Sequence, residues 1–167
     1  IGPDFFRKEL TNYSRWKFAW GREVGQNSID AGAKRIDIVV SVVDVDVCKV
    51  TWSDDGCGMD LDTLINKFLT LGGTKKKDGA TGGFGWAKTL ILFAQNNYRV
   101  LTGDIVLEGI GGSFSYVEDA LPISGTIIEV EIPTAALNMC RHIEDWFSWT
   151  DTKGCSVYLQ GIKLDTF

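Results

Sequence analysis

"REVGQNSIDAGAKRIDI", running from Arg22 to Ile38, changes its period part way along. The first part places small and apolar residues as a packed helix does, with Val24, Ile29 and Ala31 among polar neighbours. From Arg35 onward the polar and apolar residues alternate, as in a strand with one buried face. Gly32 sits near the break, a residue suited to a helix C-terminus. The helix extends backwards through "SRWKFAW", with Ser14 as its expected N-cap. The strand continues through "KRIDIVVSVVD", and "VCKVTWSDDG" reads as its neighbour. Within the helix, Glu23, Asn27 and Asp30 stand at i, i+4 and i+7, inside an arc of about 60° at the α-helical pitch. A buried unpaired carboxylate is costly, so this face must meet solvent, a partner or a ligand. A plain solvated face is the simplest alternative. Against it, the same helix carries Phe18, Ala19, Val24 and Ile29, as a packed helix would. Gly21 and Gly25 also let its backbone come close to a neighbour.

Working outward, "PDFFRKEL" opens a short helix with Pro3 in its first turn. "MDLDTLINKFLTL" has helical spacing at Leu61, Leu64, Ile65 and Phe68. "GGTKKKDGATGGFG" is glycine-rich and polar, which predicts a loop, and "WAKTLILFAQ" a largely buried helix. "YRVLTGD", "IVLEGIGG", "SFSYVED" and "GTIIEVEIP" read as strands of an antiparallel sheet. "TAALNMCRHIEDWFSWT" is a late helix whose Trp146, Phe147 and Trp149 can pack on the sheet, and "CSVYLQG" is a last strand. This mixture predicts an α+β two-layer sandwich, with a mixed, mostly antiparallel sheet and helices on one face.

The chain of 167 residues is long enough for one domain with a real core. Its net charge of −5 argues against gripping a nucleic-acid backbone through this domain alone. No apolar run reaches transmembrane length, so no membrane partner is expected and the chain reads as cytoplasmic, or nuclear in a eukaryote. Cys48, Cys57, Cys140 and Cys155 form no CxxC pair. With His142 as the single histidine, that argues against a zinc site and for reduced, mostly buried thiols. The six tryptophans are scattered through an acidic chain, which favours core packing over a base-stacking platform. The chain begins "IGPDFF" without a methionine and reads as part of a longer protein.

Three further motifs carry chemistry. "DDGCGM", Asp54 to Met59, follows a strand directly. Its glycines at 56 and 58 remove side chains beside Asp54, leaving room for a flat ligand whose amino hydrogen the carboxylate can accept. A D-G turn is also ordinary hairpin chemistry. "TGGFGWAK" sets Gly82, Gly83 and Gly85 before a helix, whose N-terminal amides suit phosphate. "SGTIIEVEI" opens a strand with Gly125 and Thr126. None of these is specific alone.

In order and spacing, Glu-x-x-x-Asn, Asp-x-Gly-x-Gly, Gly-x-x-Gly-x-small and Gly-Thr closely resemble the Bergerat-fold ATPases. These are the superfamily of gyrase B, the large heat-shock chaperone, histidine kinases and MutL. The resemblance runs over about residues 15 to 132. "NSIDAGAKRIDI" is most similar to MutL, and "GGFGWAKTLILFA" to the chaperone and topoisomerase VI. The resemblance implies that the 167 residues form a single ATP-binding domain with an ATP lid at about 71–87. It implies Glu23 as the general base and Asn27 as the Mg²⁺ ligand, with Asp30 supporting the same face. It implies Asp54 as the adenine-reading acid and Thr126 as the hydroxyl sharing its water network. Gly56, Gly58 and Met59 would line the base pocket. Thr74 and Lys75 would start the lid, and Gly82, Gly83, Phe84, Gly85, Trp86, Ala87 and Lys88 would wrap the triphosphate. Ala87 replaces the third lid glycine, a change MutL also tolerates. Trp86 is bulky for a lid position.

The implied activity is slow, Mg²⁺-dependent ATP hydrolysis. Lid closure would act as a conformational switch and support an ATP-dependent homodimer. The family's usual catalytic lysine belongs to a following transducer domain, which is why slow turnover is expected of this domain. A nucleotide-sensing module without useful turnover is the second reading. A histidine-kinase-type phosphotransfer domain is the third, and Glu23 speaks against it because those proteins carry Asn there.

Overall fold

The computed structural model describes residues 1–10, 15–69 and 89–167. Helix α1 spans Pro3–Leu10 and α2 spans Trp16–Asp30. Strands β1 (Arg35–Asp44) and β2 (Val47–Asp54) form an antiparallel pair. After a wide π-helical turn at Thr63–Phe68 and another at Thr89–Phe93 come β3 (Asn97–Thr102), β4 (Ile105–Ile110), β5 (Ser113–Val117) and β6 (Thr126–Ile132). Helix α3 (Ala136–Ser148) and the hairpin β7 (Ser156–Leu159) and β8 (Ile162–Lys163) complete the chain.

The eight strands form one sheet in the order β5-β4-β3-β6-β2-β1-β7-β8. Neighbours pair antiparallel except β1 with β7, which run parallel. Burial alternates strictly along β3 and β6 and nearly so along β2, the mark of a sheet packed on one face. The packed face meets α2 and α3. Trp20 of α2, Trp52 of β2 and Phe147 of α3 meet there, with ring centroids 5.8 and 5.9 Å apart for the two contacts to Trp52. The opposite face carries charge pairs across strands, such as Lys49 with Glu129 at 3.1 Å. The expected two-layer α+β sandwich with a mostly antiparallel sheet is the observed architecture. Among the described residues, no helix is long and apolar enough to cross a membrane.

Local departures have local causes. The predicted helix after Met59 is realised as a short turn that widens, with the Leu69 N–H reaching back five residues to the Leu64 carbonyl at 2.9 Å. Trp149 caps α3 and is 75 % exposed, so it does not join Trp146 and Phe147 against the sheet. The last predicted strand is a hairpin, turning through Gln160 and Gly161. The Gln160 side chain donates to the Val40 carbonyl and accepts from the Val40 N–H, both at 2.8 Å, so it stands in for one residue of a neighbouring strand. The Ser14 cap lies outside the described residues. So do Trp86, Ala87 and Lys88, at the start of the predicted "WAKTLILFAQ" helix, whose Leu90, Ile91, Leu92, Phe93 and Ala94 are all buried as expected.

Candidate functional site

Strand register assembles the site. Asp54 ends β2 directly opposite Thr126, and Thr126 stands opposite Thr102 at the end of β3. Residues paired in this way project to one face, so these three share the face that packs on the helices. Here α2 comes down on the sheet. Ser28, almost wholly buried, donates to Asp54 Oδ2 at 2.7 Å and accepts from the Trp52 indole N–H at 3.1 Å. The Gly56 N–H donates to Asp54 Oδ1 at 2.9 Å. A carboxylate has about four lone-pair sites. Two protein donors therefore leave Asp54 able to accept more, and unable to donate while ionised.

The glycines after Asp54 serve the backbone first. A Cβ on Gly56 would lie 2.8 Å from both the Ala31 carbonyl oxygen and the Ala31 side chain. The chain hooks over the end of α2 there, with Cys57 N–H donating to Ala31 O at 2.9 Å. Gly58, at φ +72°, presses against the Gly125 carbonyl and Thr102 Oγ1, each 3.2 Å from where its Cβ would be. Gly125, at φ +81°, has no room for a side chain because it would collide with the Asp54 carbonyl. The room that a side chain on each of these glycines would need is thus taken by neighbouring groups, while Gly58 also borders open space beside Asp54. Asp55, next to Asp54, does a different job: its carboxylate accepts the Arg35 and Lys34 N–H groups. These hold it below the usual carboxylate range, the Arg35 amide most strongly.

A cavity of about 340 Å³ opens between α2 and this end of the sheet. Val24, Ala31, Met59, Phe68 and Ile128 give it apolar walls, and Asn27, Asp30, Asp54 and Thr126 add polar groups. Few convergent polar groups in an apolar cleft of about 300–1,000 Å³ is the usual form of a small-molecule site. Of the residues singled out from sequence, the structure brings Asn27, Asp30, Asp54, Gly58, Met59 and Thr126 to this one cavity. Gly56 touches it only through its bond to Asp54. Glu23 is not among the lining residues; it lies half-exposed beside Arg22, at 3.2 Å. Thr74, Lys75, Gly82, Gly83, Phe84, Gly85, Trp86, Ala87 and Lys88 fall outside the described residues.

Sequence reasoning missed Ser28, Thr102, Thr63, Phe68 and Cys57. Ser28 had one signal, a hydroxyl on the buried stripe of α2 one turn after Val24. Thr102 had none, since its role depends on its strand partner. Thr102 Oγ1 accepts the Met59 N–H at 2.8 Å and lies 3.0 Å from Thr126 Oγ1. Asp30 Oδ1 accepts from Gln26 Nε2 at 2.8 Å.

The lining suits a flat base such as adenine: Met59, Phe68 and Ile128 are apolar walls, and Asp54 can accept a hydrogen from an amino group. For magnesium, no three His, Cys, Asp or Glu side chains gather among the described residues into a cage. The exposed Asn27 amide is a single oxygen donor of the kind Mg²⁺ takes alongside substrate phosphates.

The family model described as "Histidine kinase-, DNA gyrase B-, and HSP90-like ATPase" matches residues 22–103. That span opens just before Glu23 and closes just after Thr102. No curated protein matches the chain. Among solved structures, 204 chains match. One of them, titled "Crystal Structure of N terminal domain of a DNA repair protein", superposes with a TM-score of 0.60 at 16% identity. The alignment covers 98% of this chain and 56% of that one, so the chain spans little more than half its length. At this identity the likeness is one of fold.

Proposed function

Starting from a chain whose residues 22–103 belong to the histidine kinase-, DNA gyrase B- and HSP90-like ATPase family, we propose that it binds ATP with Mg²⁺ in the α2–sheet cavity and hydrolyses it slowly. The observation that carries this reading is Asp54, held by Ser28 and Gly56 and still able to accept a hydrogen at the cavity wall. Asp54 accepts the exocyclic amino group of adenine, and Met59, Phe68 and Ile128 enclose the ring. Thr126 and Thr102 order water beside the base. Asn27 would hold a magnesium ion through its amide oxygen, with Asp30 supporting the same face. The ion would supply charge neutralisation on the phosphates, the main need of phosphoryl transfer beyond positioning. Glu23, one turn before Asn27, takes a proton from the attacking water. In this reading the stretch 71–87, outside the described residues, is the ATP lid, starting at Thr74 and Lys75, and residues Gly82 to Lys88 wrap the triphosphate. Closure of the lid acts as a conformational or dimerisation switch for appended domains.

Isothermal titration with ATP, with and without Mg²⁺, tests the reading. Magnesium-dependent binding that is lost in Asp54→Asn and weakened in Asn27→Ala is the expected result. Equal binding by the Asp54→Asn variant, or none at millimolar ATP, would overturn it. A binding module without useful turnover is the second reading. It is favoured by Glu23 lying outside the cavity lining and beside Arg22. Phosphate release by Glu23→Ala decides between them: an unchanged rate removes Glu23 as the base.

A further inference from the structure

Trp52 does not line the cavity; it is buried against Trp20 and Phe147. Its indole nitrogen nonetheless ends a directed chain of hydrogen bonds. An indole N–H can only donate, and this one donates to Ser28 Oγ at 3.1 Å. The Ser28 hydroxyl has a single hydrogen. With the indole hydrogen occupying an oxygen lone pair, that hydrogen goes to Asp54 Oδ2 at 2.7 Å. A helical serine without such a donor can instead turn its hydroxyl to the carbonyl four residues back, here that of Val24. The Gly56 N–H fixes the other carboxylate oxygen from the opposite side of the group. Asp54 therefore meets the cavity in one orientation and as an acceptor.

The geometry points to Trp52 as a positioning residue that sets base specificity: through Ser28 it holds Asp54 ready for a purine bearing an amino group and against one bearing a keto oxygen. This rests on the reading of the cavity as an ATP site and adds to it the origin of discrimination. A site built to receive a hydrogen rejects a ligand that lacks it far more strongly than an apolar wall can. The indole ring and the indole N–H are separable, because Trp52→Phe keeps an aromatic ring between Trp20 and Phe147 and removes only the donor and some volume.

The test is titration of ATP and of inosine triphosphate, whose base carries a keto oxygen in place of the amino group, into the full chain and three variants. Trp52→Phe and Ser28→Ala should each weaken ATP about tenfold, the scale of one hydrogen bond to a charged group. Each should bind inosine triphosphate no more weakly, so that the preference for ATP narrows. The double variant should bind ATP no more weakly than Ser28→Ala alone, since both changes break the same relay. Equal weakening of both nucleotides, unchanged ATP affinity, or additive losses would overturn the proposal while leaving the ATP site standing. An unaltered chain that binds no ATP overturns both. Should Trp52→Phe fail to fold, the indole N–H resonance of Trp52 decides. ATP should move it in the unaltered chain and not in Ser28→Ala, and an unmoved resonance in the unaltered chain overturns the relay.

Discussion

The hydroxyl oxygens of Thr102 and Thr126 stand 3.0 Å apart across the β3–β6 pairing, and both residues are buried. Thr102 also takes the Met59 N–H. Thr102→Val keeps the shape and removes the oxygen, leaving the part-buried Met59 N–H without its acceptor. We expect a loss of about 1–3 kcal/mol in urea unfolding, the usual penalty for such a group. ATP binding should weaken in the same variant, and Thr102→Ser should restore both.

Gly21 and Gly25 lie one turn apart on α2, and both face α3. A methyl group at Gly21 would sit 3.5 Å from Ile143, an ordinary contact. At Gly25 it would overlap the ring of Trp146. Gly21→Ala should therefore leave stability unchanged or raise it by up to about 1 kcal/mol, the helix-propensity gain. Gly25→Ala should lower it by about 1–3 kcal/mol through overpacking. Equal midpoints in parallel thermal melts would contradict this packing.

Burial pushes the thiols of Cys48 and Cys155 up, each from an ordinary 9.0 to about 11. The folded chain then holds protons that the unfolded chain releases between those values. The contribution to stability is full below pH 9.0 and is lost as pH rises through about 11. Urea midpoints should fall across this window. They should fall less in a Cys48→Ala, Cys155→Ala variant, and an identical slope would remove the thiols as the cause.

Cys57 is the exposed member of the four cysteines and lines the cavity beside Gly58. An alkylating reagent should modify it before Cys140, Cys48 or Cys155, as read by mass spectrometry of digested protein. Saturating ATP should slow that modification. Undiminished alkylation at saturation would place the nucleotide elsewhere.

The fold was largely legible because its elements are periodic. The alternation along "RIDIVVSVVD" and "VCKVTWSD" became β1 and β2, and the apolar stripe of α2 became its contact with the sheet. The hairpin of β7 and β8 was not legible, because its turn reads Gln-Gly rather than the Asn-Gly or Asp-Gly that signals a tight turn. Its Gln160 acts through a long-range bond to Val40. Trp149 is grouped by the sequence with Trp146 and Phe147 as a residue that can pack on the sheet. It falls at the cap of α3, where the helix ends and nothing covers the ring.

The sequence by itself determined the helix carrying Glu23, Asn27 and Asp30, the strand that delivers Asp54, and the glycines that follow. Those are consequences of spacing, which acts over a few residues. Only the tertiary structure decided that Thr102, Thr126 and Asp54 stand side by side, since strand register joins positions far apart in the chain. It alone placed Ser28 between Trp52 and Asp54, and left Glu23 out of the cavity lining. A buried hydroxyl finds its partner through the approach of a helix to a sheet, and no local pattern records which partner that will be.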